Sequence, residues 1–308
     1  MSIQAKILSM VMRYQMADFY KDLSIEAQRA KMDKYAGMVK LPPDVTCESV
    51  DAGGISAEWI TTPGVNQDQV ILYLHGGAYF LNYGNPHRDF AARIGRSAQM
   101  SVLVLDFRLL PEHPYPAALE DVTVAYQWLL KQGHSPMNIA IAGDSSGGGL
   151  ALATLLRLRD TGSTFPAAIV CICPWTDLTG SGKSMKTNAK VDFINIPKHM
   201  KTNAKMYTGD HDLKNPYISP LYADLTGFPP LLIQAATKDV LLDDATRLAE
   251  QARNANVDVT LEVWEGMTHI FQLGARFVPE ARKAVETIAA FLRQHLGVKI
   301  DVPLRTTI

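Results

Sequence analysis

"NIAIAGDSSGGGLALATLLRLRD", residues 138 to 160, passes from an apolar alternation through a polar, glycine-rich turn into a run of alanine and leucine. Those compositions specify a strand, a sharp turn and a helix, in that order. Gly143, Asp144, Ser145, Ser146 and Gly147 fit G-x-S-x-G in that context, which makes Ser145 the candidate nucleophile. Centring the pattern on Ser146 would need glycine at 144, where aspartate stands. The glycines have a steric task, because in so tight a turn a Cβ at 143 or 147 would strike neighbouring backbone. The following helix points free N–H groups and the positive end of its dipole at the serine.

A serine hydroxyl is a weak nucleophile at neutral pH, so this reading requires a base and an acid that orients it. After a strand–Ser–helix elbow they are expected in the order acid, then histidine. His269, in "WEGMTHIF" just past the last strand-like run, is the candidate base, since His295 falls within a terminal helix. For the acid, Asp239 directly follows the run "PLLIQA", whereas Asp243 and Asp244 fall in a first helical turn, where carboxylates serve the helix dipole. Acyl transfer also needs N–H donors for an oxyanion. Gly76 and Gly77 of "VILYLHGGAYF", with the N–H of Ser146, are the candidate donors. Such a base acts when neutral, so activity is expected to rise with pH around about 6 to 7. Tyr79, Leu81, Tyr83 and Trp175 are candidate walls of the pocket.

Eight strand-like runs, 45–50, 55–60, 69–74, 101–106, 138–142, 167–173, 230–235 and 258–263, alternate later in the chain with helical stretches near 87–99, 117–132, 146–160 and 241–255. A last helix places Val285, Ile288, Ala289, Leu292 and Leu296 on one face before Gly297. This rhythm predicts a mostly parallel sheet covered on both faces, with an antiparallel start where the first runs are closely spaced. The first forty residues read as two helices, with Ile3, Ile7, Leu8 and Val11 on one face and Ser24 capping the second. Residues 176–216 break the rhythm. They are Lys-rich and contain "KTNAK" at 186–190 and again at 201–205, which reads as a solvated helix face. Interleaved Met185, Phe193, Ile194, Met200, Met206 and Tyr207 predict packing against the N-terminal helices.

With 308 residues, 47% of them hydrophobic, the chain can bury a large core, and a net charge of -1 offers no field for nucleic acid or anionic membranes. Only six residues separate Lys6 from Arg13, which argues against a secretory or membrane-spanning segment and for a cytoplasmic protein. Cys47, Cys171 and Cys173 are an odd set, the latter two read as residents of a buried strand rather than disulfide or metal ligands. The run "DLTGSGKS" (177–184) ends like a phosphate-binding loop, but Asp177 stands where that pattern needs glycine.

Together "HGGAYF" (75–80), "DFRLLPEHPYPAALED" (106–121), "GDSSGG" (143–148), "PWTDLTGSG" (174–182), "KDVLLDD" (238–244) and "GMTHIF" (266–271) make the chain resemble the bacterial hormone-sensitive lipase-like esterases, the family IV carboxylesterases of the α/β-hydrolase superfamily. The resemblance implies the α/β-hydrolase fold, a mostly parallel eight-stranded sheet with helices on both faces plus a helical cap. The cap is expected from 1–40 and 183–215, and the catalytic domain from 41–182 and 216–308. It implies a serine carboxylesterase that hydrolyses short to medium acyl esters through an acyl-enzyme, using Ser145, Asp239, His269 and N–H groups of Gly76, Gly77 and Ser146. A homodimer through the last strand is also implied, and no cofactor or metal. Arg108, Glu112 and Glu120 are assigned structural roles. Two positions depart from the family's habit: Ala78 stands where a third glycine is common, and Ser146 where alanine is. Two alternatives use the same fold: an amidase or deacetylase with the same triad, and a non-catalytic ligand receptor, a kind that lacks the histidine present here.

Overall fold

The structure, a computed structural model, describes residues 1–21 and 24–297. Residues 298–308, expected in the catalytic domain, lie outside the described residues. In chain order the elements are α1 (Ile3–Phe19), α2 (Ile25–Gly37), β1 (Thr46–Asp51), β2 (Ser56–Thr61), β3 (Asn66–Leu74), α3 (Asn85–Ala98), β4 (Met100–Leu105), α4 (Ala117–Lys131), β5 (Ile139–Asp144), α5 (Ser146–Asp160), β6 (Ala168–Ile172), α6 (Ser184–Thr187), α7 (Pro197–Thr208), β7 (Leu231–Ala236), α8 (Leu242–Asn254), β8 (Val259–Trp264) and α9 (Pro279–Leu296).

The eight strands form one sheet in the order β1-β2-β4-β3-β5-β6-β7-β8. β2 runs antiparallel to both β1 and β4, and the other pairs are parallel. This is the α/β-hydrolase fold, with the antiparallel start that the short early spacings imply. Strands β4 to β7 are buried along their whole length, as a sheet covered on both faces requires. Alternate residues feed two cores. Leu72, Leu103, Ile141, Ile169 and Ile233 pack with α4, α5 and α8, while Ile71, Val102, Ala140, Val170 and Leu232 pack with α3 and α9. Each valine, leucine or isoleucine among them contributes about 1.5–3 kcal/mol when fully buried. On α9 the predicted stripe of Val285, Ile288, Ala289, Leu292 and Leu296 is the buried one, and Gly297 closes the helix at φ 71°.

Strand β3 is the pivot of the topology. From it the chain steps to β4 on one side, and β5 occupies the other, so the segments leaving β3 and β5 diverge. A crevice opens at the carboxyl ends of strands where the order reverses in this way. Leu74 pairs with Gly143 there, which sets His75–Gly77 beside Asp144 and Ser145.

The N-terminal helices form, but α1 is rotated relative to the sequence expectation, and only Leu8 of its four predicted apolar residues turns inward. Ile3, Ile7 and Val11 face solvent, with Ile3 72% exposed, whereas Ala5 and Phe19 are buried and Leu8 packs on the core. Apolar residues line both faces of this helix, and Ala5 joins the cluster that holds Met267, Phe271 and Val278. The insertion meets these helices: Arg13 lies 5.0 Å over the Phe193 ring, and Tyr20 stacks on His199 at 4.8 Å while its hydroxyl donates to the Ile194 carbonyl.

Candidate active site

Ser145 sits between β5 and α5 with φ 53° and ψ -120°, a conformation that L-residues avoid. Its backbone is held there: the N–H donates to Ile172 O at 2.8 Å, and its carbonyl accepts from Gly148 N at 3.1 Å and Trp175 N at 2.9 Å. A Cβ on Gly147 would come within 2.0 Å of Leu74 O, and one on Gly143 within 2.4 Å of Gly147 O, so the turn closes only around glycine. The Ser145 hydroxyl makes no hydrogen bond among the described residues, and the Ser146 hydroxyl is buried without a partner among them.

Two strands along from β5, the turn after β7 carries Asp239, and three along, the segment after β8 carries His269. His269 Nδ1 and Asp239 Oδ2 are 2.7 Å apart, both residues nearly fully buried, and Asp239 Oδ1 accepts the Leu241 N–H at 2.9 Å. The two segments are tied by Lys238 N to Met267 O at 3.0 Å and Gly266 N to Thr237 Oγ1 at 2.8 Å. Burial works against a charged His269, but the Asp239 carboxylate and its hydrogen bond outweigh it, aided by Cys173, and hold the imidazolium's pKa well above the ordinary histidine value. The other two acids are structural. Asp244 Oδ2 accepts Thr176 N and Asp177 N, each at 2.8 Å, and Asp243 Oδ2 accepts Ser184 N at 3.0 Å.

At the loop after β3 one expectation needs correction. The Gly76 N–H donates to Asp144 Oδ1 at 2.9 Å, so it is engaged by a side chain rather than free for an oxyanion. Tyr73 donates to the same oxygen at 2.5 Å, and a Cβ on Gly76 would meet Asp144 Oδ2 at 2.3 Å. The N–H groups of Gly77 and Ala78 have no acceptor among the described residues, and neither does that of Ser146. Gly77 (φ 125°), Ala78 (φ 50°) and Tyr79 (φ 65°) form a run of positive φ that curls the loop, which explains the family's preference for glycine at 78. His75 is no second base: burial pulls its pKa down to about 3, and its ring stacks on Phe107 at 4.4 Å.

Aromatic rings border the start of α5. Tyr79 stacks on Tyr207 of α7 at 3.8 Å, its centroid lies 6.3 Å from that of Trp175, and its hydroxyl faces Gly149. Tyr83 lies between Arg88, 4.8 Å over its ring, and His75, whose ring centroid is 5.4 Å away. The sulfur of Cys173, just past β6, lies within 4.8 Å of the donor atoms of Asp239 and His269. That trio is poorly suited to a metal: donors on one tetrahedral zinc stand about 3.3 Å apart, as 2.0 Å bonds dictate, whereas the His269–Asp239 pair is at hydrogen-bond distance. Burial also pushes the Cys173 thiol up to about 11, away from the thiolate a metal needs. The phosphate-loop alternative is filled from within, since Asp177 accepts from Thr179 N at 3.0 Å and Ser181 N at 3.2 Å and pairs with Arg247 at 3.0 Å.

A family model described as the alpha/beta hydrolase fold matches residues 71–273. An acetyl-hydrolase of Streptomyces hygroscopicus is 40% identical over 89% of this chain and 91% of its own, and an esterase of Acinetobacter venetianus 36% identical over 88% and 89%. A crystal structure of an esterase from the bacterial hormone-sensitive lipase family superposes with a TM-score of 0.93 at 41% identity, covering 96% of this chain and 99% of that one. The chain belongs to the bacterial hormone-sensitive lipase family of α/β-hydrolases.

In this hydrolase the structure also gathers residues that sequence reasoning missed. Cys173, read as a strand resident, lies beyond the strand at φ 45° and borders His269. Asn188, within the first "KTNAK", donates to Thr237 O at 3.1 Å and Asp239 O at 2.8 Å, so that stretch is not simply a solvated face. Asp192, four residues on, is buried and accepts Val240 N at 3.0 Å. The four-residue spacing of Ser184, Asn188 and Asp192 was the available signal.

Proposed function

We propose that this hydrolase cleaves short to medium acyl carboxylic esters through an acyl-enzyme on Ser145. The observation that carries the reading is the buried His269–Asp239 hydrogen bond of 2.7 Å at the same sheet edge as a serine held at positive φ. Ser145 attacks the ester carbonyl and passes its proton to His269, which delivers it to the departing alcohol. Asp239 fixes the imidazole tautomer and stabilises the imidazolium. Water then repeats the sequence on the acyl-enzyme. Gly77 and Ser146, with Ala78 in place of Gly76, supply the oxyanion N–H groups, each commonly worth about 3–4 kcal/mol. The stacked Tyr79 and Tyr207 with Trp175 favour a short acyl group, in keeping with a relative named acetyl-hydrolase. Residues 1–40 and 183–215 act as the cap, supported by the contacts between α1 and the insertion.

The test is a chain-length series of p-nitrophenyl esters, with matching anilides, on native protein, Ser145→Ala and Ser146→Ala. Turnover of esters, short chains preferred, and a loss of at least about a thousandfold in Ser145→Ala are expected. Faster anilide turnover would favour the amidase. Loss in Ser146→Ala with retention in Ser145→Ala would reverse the assignment.

A further inference from the structure

The acid turn is gripped from outside by the insertion. Ser184 donates its hydroxyl to Val240 O and receives the Asp243 N–H at 3.0 Å. Asn188 donates to the carbonyls of Thr237 and Asp239. Asp192 closes the set: Oδ2 accepts Val240 N, and Oδ1 accepts Ile194 N at 2.9 Å and Asn195 N at 3.0 Å. Apart from the two Asp192 Oδ1 bonds, which brace the insertion itself, these contacts are made to 237–243, the stretch that contains Asp239. A loop holding a catalytic acid needs such support, because small displacements of a reacting constellation cost large factors in rate.

We infer that Asp192 is a positioning residue for the Asp239–His269 pair, holding the acid turn by Val240 and setting a second negative charge beside the imidazole. The inference rests on the ester-hydrolase reading above. Ser184 and Asn188 grip the same turn without carrying charge, so Asp192 alone among the three can influence how readily His269 takes a proton. The titratable groups that face it are Asp239 and His269 from the loops after β7 and β8, and Tyr20 from the end of α1, with Cys173 facing the pair from the end of β6. Burial, followed by the Asp239 charge, raises the Asp192 carboxyl to about 6, with His269 and the N–H groups of Asn195 and Val240 opposing. In its ionised form Asp192 favours the imidazolium. Removing that charge lowers the pKa of His269 and moves the acid limb of kcat/KM to lower pH.

The experiment measures kcat/KM against pH for native protein, Asp192→Asn, Asp192→Ser, Asp192→Glu and Asn188→Ala, with thermal unfolding of each. Asp192→Asn and Asp192→Ser are expected to shift the acid limb down by about one pH unit and to lower kcat about tenfold with KM little changed. Asp192→Glu keeps the limb in place, and Asn188→Ala loses rate without moving it. An unmoved limb in both neutral variants, an equal shift in Asn188→Ala, or failure of both neutral variants to fold overturns the inference. Absence of ester turnover by native protein would instead overturn the ester-hydrolase reading.

Discussion

Ser145 holds a backbone conformation that costs on the order of 1–3 kcal/mol, and hydrogen bonds to β6 and to the segment after it maintain it. Gly147→Ala forces a methyl against Leu74 O, so a loss of about 3 kcal/mol or more is expected in urea unfolding, with activity lost as well. Ser146→Ala goes the other way. Its buried hydroxyl has no partner among the described residues, so the variant should match or exceed native stability and keep its activity within a few-fold. For His269 the direction of pH dependence follows from its raised pKa: below that value the imidazolium cannot accept the serine proton, and the rate rises with pH through a value above 6.5. Asp239→Asn removes the main source of that rise, so the limb should move down while kcat falls on the order of 10³–10⁴-fold. A native limb below 6.5 would contradict this account. The positions of Ser145, Asp239 and His269 after β5, β7 and β8 were legible because each follows a recognisable strand within its own local pattern. Gly76 was misread because the acceptor of its N–H lies 68 residues away, on Asp144.

At the scale of elements, α1 shows why periodicity alone can mislead. Its apolar residues fall on two faces, and the inward one is chosen by what the rest of the chain presents: Gly274, where Leu8 packs so closely that a Cβ would lie 2.5 Å from it. Strands β4 to β7 offered no such choice, since both of their faces are buried. Helix α2 is fastened through Arg29, whose guanidinium pairs with Glu112 at 2.7 Å and donates to the carbonyls of Phe80 and Leu110. Glu112 thus keeps the structural role assigned to it, as do Arg108 and Glu120, which pair at 3.2 Å. Phe80 belongs to the loop after β3 that carries the proposed oxyanion donors Gly77 and Ala78, so Arg29→Ala is expected to cost about 1–3 kcal/mol in thermal unfolding and also to lower kcat. Unchanged kcat with lowered stability would separate α2 from the site.

Across the whole molecule, one sheet carries the parts proposed for catalysis at the carboxyl ends of β3, β5, β7 and β8. The mostly parallel sheet with its antiparallel start was legible because strands alternate with helices after closely spaced first strands; the strand order was not. Nor was the course of the insertion, since its lysines hide the few polar groups that turn inward. No helix among the described residues is long and apolar enough to cross a membrane. Strand β8 ends the sheet with Val263 45% exposed, and the proposed homodimer would join two copies along it. Light scattering should then give twice the mass of one chain and Val263→Asp half of that; a single-chain mass for the native protein removes the dimer. The grip of residues 184, 188 and 192 on the acid turn has an engineering consequence. The proposed cap is a natural unit to exchange with that of a relative when a new substrate range is wanted, but the transplant would bring its own contacts to that turn. Choice of substrate and working pH would then be inherited together.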